Sequence, residues 1–468
     1  MNDAPELTHS QTQIWVGQRL NPGSPLYNMA FAFVFPTALH PEVFCEAWRR
    51  VVEGSDALRT RVVDRDGGGT GRSVDADPAP TTVLDFGSRP DPEEAFRRWC
   101  GERCARPLPM GEPLVESVLV RLGEGRTGWY LNQHHLVTDA WSTVLLFHQV
   151  GAEYEALLGG GPGVFRPLPP YYPTAAALGS RAAGRTTALE HWARRQEGPG
   201  RRVPLYGRSG APEGTASTRS TLELDEDRSR ALDKLCAQDG FASLSADLSR
   251  FALFATLLLA WLHRISGRAN LGFDAPVGGR PTAEAKRALG LFIEMFPFAA
   301  TVQAEDTFRS LGARCLEEAK LFLGHALPGT SSPSGATASN VVLNYVPAVF
   351  GTFAGVPVEV EWVHPGHGDS VHALRLQVHD FSGSGRYTLH FDINERALPE
   401  RLRQRSLRHF EMVLEAFLDD PDQPIASLKL LVEVERQALA ALNGTDSAPR
   451  PDRSVVALFQ AGADLEPD

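Results

Sequence analysis

The sequence predicts a soluble α/β protein built as two lobes. Three observations carry this. The chain has 468 residues, more than a single hydrophobic core ordinarily organises. Strand-like runs with period-two alternation are interleaved with helix-like runs of period 3.6. A Gly- and Pro-rich stretch, Gly159-Gly160-Gly161-Pro162-Gly163 followed by Pro167, Pro169, Pro170 and Pro173, interrupts the pattern as a junction between lobes would.

The elements follow in order. Thr8 or Ser10 caps a helix carrying Ile14, Trp15 and Leu20, and Asn21-Pro22-Gly23-Ser24-Pro25 stops it. Met29 to Phe35 reads as a strand, and Pro41 to Val52 as a helix with Val43, Phe44 and Trp48 on its apolar face. Gly67-Gly68-Gly69 marks a loop or hairpin tip. Glu93 to Cys104 is helical, Gly128 to His135 a strand, and Ala140 to Leu158 a long helix. In the second lobe a charged helix near Thr187 to Gln196 precedes a flexible Gly207 to Ser217 and a strong helix from Ser243 to Ile265. Leu271 to Ala275, Asn340 to Tyr345, Val371 to Asp380 and Arg386 to Ile393 read as strands. The last two alternate well, with Leu374, Leu376 and Val378 in one and Tyr387, Leu389, Phe391 and Ile393 in the other. Leu398 to Phe417 is an amphipathic helix, and past Leu430 the chain turns polar and small apart from an apolar patch at Val455 to Phe459.

Composition narrows the function classes. Hydrophobic content of 43% and charged content of 22% suit a globular protein. A net charge of -11 argues against a nucleic-acid surface, which needs clustered Lys and Arg. The longest apolar run, Phe251 to Leu262, is short for a bilayer and reads as a buried helix, so no membrane partner is expected. The first residues carry no basic region and no apolar region, so no signal peptide is expected. Cys45, Cys100, Cys104, Cys236 and Cys315 are odd in number and scattered, the pattern of reduced thiols in a cytoplasmic protein.

The chemistry concentrates in His134-His135-Leu136-Val137-Thr138-Asp139-Ala140-Trp141-Ser142, where a strand gives way to a helix. Neighbouring strand residues point to opposite faces, so one histidine enters a cavity while the other faces the packed interior. The same divergence keeps the pair from chelating one ion, and no metal is expected. A neutral imidazole suits proton handling. Ser142 lacks an evident general base and reads as structural rather than nucleophilic.

His134-His135-x-x-x-Asp139-x-x-Ser142 resembles the HHxxxDxxS signature of condensation domains of nonribosomal peptide synthetases, which belong to the chloramphenicol-acetyltransferase-like acyltransferases. Further segments resemble the family's motifs in the family's order: Ser10 to Trp15, Asn21 to Asn28, Ala57-Leu58-Arg59-Thr60-Arg61, Gly279-Arg280-Pro281, Leu289-Gly290-Leu291-Phe292 and Val342-Leu343-Asn344-Tyr345. Val434 through Asn443-Gly444-Thr445 to Gln460 resembles the linker toward an adenylation domain. Departures are Ala140 for the usual glycine, Ile293-Glu294-Met295 for V-N-T, and Tyr171-Tyr172-Pro173 for Y-x-D. His364-Pro365-Gly366-His367-Gly368-Asp369 reads as a polar loop.

The resemblance implies a pseudo-dimer of two acetyltransferase-like lobes in a V with a central tunnel: residues 1–175 and 176–430, followed by a linker over 431–468. Gly278 to Glu284 and Asp380 to Arg386 are candidates for chain crossing between lobes. It implies amide formation between an acyl thioester and the amine of an aminoacyl carrier-protein thioester, with substrates carried on phosphopantetheine or coenzyme A and no cofactor of the domain's own. His135 is the implied catalytic residue, as a general base or as a group that positions the amine. His134, Asp139 and Arg280 are implied supports, Asp139 pairing with Arg280. Asn344, Ala140, Trp141 and Ser142 are implied to border the channel. Implied partners are an acyl-CoA or acyl-carrier donor, and the downstream peptidyl carrier and adenylation domain of the same synthetase, with the domain itself a monomer. A chain that opens on Met with no carrier before it suggests a starter domain, which N-acylates the first amino acid. An elongating condensation domain and, from another class, an inactive docking domain are the alternatives.

Overall fold

The structure, a computed structural model, describes residues 4–64, 70–181, 183–196, 202–208, 214–331, 339–443 and 454–465. The expected Gly67-Gly68-Gly69 tip and part of the expected flexible Gly207 to Ser217 lie outside the described residues. The chain forms two compact units, Met1–Leu428 and Lys429–Asp468. The smaller unit carries two helices, Glu433–Asn443 and Val455–Ala463.

Two mixed sheets organise the larger unit. The first has five strands in the spatial order Glu359–Val363, Asn28–Phe35, Arg126–His134, Val115–Gly123 and Thr81–Asp85, all neighbours antiparallel except the last pair. All eight residues of Asn28–Phe35 are buried. Met29, Phe31, Phe33 and Phe35 enter one core with Trp48, Trp129 and Phe147, while Ala30, Ala32 and Val34 enter a second with Phe96 and Tyr130. Helices Pro41–Glu53 and Ala140–Leu158 supply the first of these cores and Pro92–Cys104 the second, so the strand is apolar on both faces.

The second sheet runs Ser217–Glu223, Thr388–Asn394, Leu374–His379, Val341–Val346, Asn270–Gly278 and Ile293–Thr301. Here alternation is kept. Leu374, Leu376, Val378, Leu389, Phe391 and Ile393 are buried on one face, where Phe391 meets Phe410 of helix Glu400–Asp419 with ring centroids 5.0 Å apart. Helix Ala246–Ser266 is long and apolar enough to cross a membrane, yet every residue from Ala252 to Leu262 is buried against neighbouring strands and helices Phe308–His325 and Glu400–Asp419. A helix apolar all round is a core helix here.

The strand that crosses into the first sheet is Glu359–Val363, pairing with Asn28–Phe35. Each of the two segments named as crossing candidates sends a side chain toward the first sheet and its histidine loop. Arg280 reaches Asp139, and Phe381 packs on Phe31 at 5.6 Å. Helix Tyr171–Gly179 occupies the stretch read as punctuation: Pro173 is tolerated in its first turn, and the Asp56 carboxylate, distant in sequence, accepts from the amides of Tyr171 (2.7 Å) and Tyr172 (3.1 Å).

Candidate active site

The two histidines part company where the first sheet ends. The Arg126–His134 strand closes with His134 paired to Asn28, and the His135 amide donates to the Tyr27 carbonyl at 2.8 Å. His134 is buried. Its Nδ1 accepts from the Leu136 amide at 3.1 Å, which leaves Nε2–H to donate to Gln18 Oε1 at 3.2 Å. Burial, aided by the neighbouring His135, brings its pKa down to about 3, so it is a neutral structural group. His135 instead borders a cavity of about 700 Å³ whose wall includes residues of both sheets. Among the described residues its buried Nδ1 has no hydrogen-bond partner. Burial lowers its pKa from the ordinary histidine value, opposed by nearby backbone and the Asp139 carboxylate and assisted by the Arg375 cation. The imidazole is neutral near pH 7 and ready to accept a proton.

Asp139 builds the loop that follows them. It is fully buried and caps helix Ala140–Leu158, Oδ1 accepting from the Ser142 amide at 2.8 Å. Oδ2 accepts from the Phe292 amide at 3.0 Å, and Arg280 Nη2 lies 3.0 Å from both oxygens. Arg280 directs its Nη1 to the carbonyls of Ala285 and Ala288, each at 2.6 Å. Ser142 Oγ accepts from Arg280 (2.6 Å) and from the Gly290 amide (3.0 Å) and donates to the Gly290 carbonyl at 2.7 Å. Gly290 has φ 147°, and a Cβ there would fall 2.2 Å from the Tyr171 ring. The expected Asp139–Arg280 pair and Ser142 are thus one buried lock, fastening the histidine loop to the second half of the chain; Ser142, also expected to border the channel, does not line the cavity, because its hydroxyl is buried among Arg280 and the Gly290 backbone.

The remaining expected residues sit as follows. Ala140 and Trp141 border the cavity, and Trp141 Nε1 donates to the Lys286 carbonyl at 2.9 Å. Asn344 lies on the cavity wall of the second sheet. Asp392 accepts Arg219 Nε at 2.6 Å and Gln377 Nε2 at 2.6 Å; a carboxylate only accepts, so Gln377 turns its Oε1 to Asn344 Nδ2, 3.0 Å away. Sequence reasoning missed Gln18, Gln377 and Arg375. It also took His364 to Asp369 as a plain polar loop, whereas His364, His367 and Asp369 border the cavity. The register Arg375↔Asp392 and Asn344↔Gln377 would have placed these polar residues on one face had the pairing been known. Among the described residues no group of three His, Cys, Asp or Glu is arranged to hold a metal ion.

Residues 1–326 match the family model described as Condensation domain. The chain belongs to the condensation-domain family. Members of this family in nonribosomal peptide synthetases form amide bonds by acyl transfer and need no cofactor of their own. This condensation domain is 27% identical to a linear gramicidin synthase polypeptide of Brevibacillus parabrevis, over 99% of this chain and 9% of that protein. It is 28% identical to an isonitrile lipopeptide synthase of Streptomyces coeruleorubidus, over 69% of this chain and 22% of that one. The condensation domain therefore spans less than a quarter of the length of these relatives. Its fold is that of the starter condensation domain of rhizomide synthetase RzmA, solved in complex with C8-CoA (TM-score 0.80, 22% identity, 92% of this chain and 98% of that one). The first condensation domain of the calcium-dependent antibiotic synthetase, solved with a substrate analogue, matches equally (TM-score 0.79, 21% identity, 92% and 99%).

Proposed function

We propose that this condensation domain acts at the start of a nonribosomal peptide, transferring an acyl group from coenzyme A or a free carrier protein to the amine of the first aminoacyl-carrier thioester. The observation that carries the chemistry is His135: a neutral imidazole at the wall of a 700 Å³ cavity, its loop held by a buried ion pair. In this reading the amine nitrogen attacks the thioester carbon, the carbon–sulfur bond breaks, and the thiol leaves. His135 takes or orients the amine proton, while Asn344 faces the same space and holds substrate or the intermediate's oxygen. The acyl group is already activated, so the work is orientation and charge handling. His134, Asp139 and Arg280 keep the loop in place. Downstream carrier and adenylation domains of the same synthetase are the proposed partners, and the cytoplasm the proposed compartment.

The starter reading is supported by the likeness to starter condensation domains. The elongating reading is the alternative. An assay with acyl-CoA donors and an aminoacyl carrier, read by mass spectrometry of the carrier arm, separates them. N-acylated product is expected; turnover with peptidyl carriers alone would exclude the starter role. His135→Ala is expected to slow product formation by about 100- to 10,000-fold with an unchanged melting temperature. Full activity in that variant would remove His135 from the chemistry.

A further inference from the structure

The cavity wall contributed by the second sheet is strongly polar, and its charges are unequally matched. Three arginines border the cavity: Arg219, Arg280 and Arg375. Arg219 is paired with Asp392 at 2.6 Å and Arg280 with Asp139 at 3.0 Å. Arg375 stands opposite Asp392 in the strand register, but both oxygens of that carboxylate are already taken by Arg219 and Gln377. Among the described residues no carboxylate lies within ion-pair distance of Arg375. Its Nε is buried with no hydrogen-bond partner among them. Its hydrogen bond within this set runs from Nη2 to His372 Nδ1 at 3.1 Å.

That contact sets an orientation without neutralising charge. His372 is buried, and burial together with the Arg375 cation holds its pKa well below the ordinary value, so it accepts from Arg375 as a neutral ring. Its Nε2 lies 4.0 Å from Asp274. Asp369 borders the same cavity and feels the charge of Arg375, yet it forms no ion pair with Arg375 and commits one oxygen to the Val371 amide at 2.8 Å. Arg375 is half-buried, borders the cavity, is oriented from behind by His372 and forms no ion pair among the described residues; a guanidinium so held suits an anionic, planar, two-oxygen group. Leaving such a donor unmet in a low-dielectric wall is costly, and a ligand removes the cost.

We propose that Arg375 is a specificity residue that binds a side-chain carboxylate of one of the two units being joined, selecting either an acidic aminoacyl acceptor or a dicarboxylic acyl donor. The proposal rests on the amide-forming reading above. A carboxylate within the reacting unit fits better than the phosphate of a pantetheine arm. Arg375 and His135 border the same cavity, and the reacting carbonyl must lie beside His135, whereas the arm's phosphate is many bonds away from that carbonyl.

Calorimetric titration of the intact chain tests this without requiring turnover. The acceptor probes are glutamyl and glutaminyl amides of cysteamine; the donor probes are succinyl-CoA and butyryl-CoA. In one of the two pairs the wild type should bind the carboxylate member at least about tenfold more tightly than its neutral counterpart, and which pair it is names the source. Arg375→Gln should bring that ratio close to one, and Arg375→Lys should keep part of it. No carboxylate preference in either pair for the wild type overturns the proposal with no variant needed. A ratio that survives Arg375→Gln, or an equal loss for both members of a pair, overturns it too, the latter pointing to phosphate or to a structural role. Turnover with neutral substrates is scored separately, so failure of the amide-forming reading is seen independently of failure of this assignment.

Discussion

The two sheets of this condensation domain solve opposite problems. The first is apolar on both faces. Phe33 lies 4.9 Å from Phe147 and 5.0 Å from Trp129, and the same strand sends Ala30, Ala32 and Val34 into a second core. The second sheet is apolar on one face only. Its other face presents Arg219, Asp392, Arg375, Gln377, His379 and His390, tied together by side-chain hydrogen bonds or packed against aromatic rings. The first sheet delivers His135 at its end; the second presents a polar wall to the cavity. Binding specificity needs a few convergent polar groups, and those are tolerated only where neighbouring side chains satisfy them.

This contrast can be tested from its strongest point downward. Arg280→Ala should cost about 3–5 kcal/mol of unfolding free energy, because it strands the Asp139 charge inside the protein. Denaturant unfolding would show it, and activity and melting temperature should fall together, unlike the His135 variant. A loss below about 1 kcal/mol would mean that the lock is not structural.

Phe33→Leu should cost about 1–3 kcal/mol while leaving substrate selectivity alone, since the first sheet supports and does not select. A change in the donor or acceptor ratio would break the division of labour between the sheets.

Acid should act through the histidines. Burial holds His134 at about 3, His364 at about 4, His379 at about 3 and His390 at about 2. Each is therefore neutral in the fold but protonates in the unfolded chain near pH 6.5. Their neutral burial costs nothing above that pH. Below it the unfolded state binds protons the fold refuses, and each group removes up to about 1.4 kcal/mol per pH unit until its folded value is reached. Three of the four belong to the second sheet or the loop beside it. His379, whose two ring nitrogens lack hydrogen-bond partners among the described residues and whose ring stacks on Phe381 at 3.8 Å, is the clearest case. His379→Leu should flatten the fall of melting temperature between pH 6.5 and 4; an unchanged slope would refute this account.

The smallest effect is expected from Trp141→Phe, which removes the hydrogen bond to the Lys286 carbonyl and should cost about 1 kcal/mol.

Local signals were legible where a residue's own neighbours decide its conformation. Thr8 was read as a possible cap and forms a full capping box with Gln11, and helix Ala140–Leu158 begins and ends where the sequence places it. Signals failed where the partner comes from afar. Helix Tyr171–Gly179 is capped by Asp56, and strand Glu359–Val363 exists by pairing with Asn28–Phe35. The loop of His364 to Asp369 read as ordinary polar surface because nothing within it reveals the cavity it borders.

The sequence by itself placed His134 and His135 where a strand gives way to a helix, which is enough to send their side chains apart; that Asp139 pairs with Arg280 was legible only through the family resemblance. Tertiary structure alone decided which polar residues share a wall. Strand register aligned Arg375 with an Asp392 already claimed by Arg219 and Gln377, and so left one guanidinium facing the cavity without a carboxylate among the described residues. Hydrogen-bonding capacity is finite, and how it is divided among competitors follows from distances that no local reading of a chain contains.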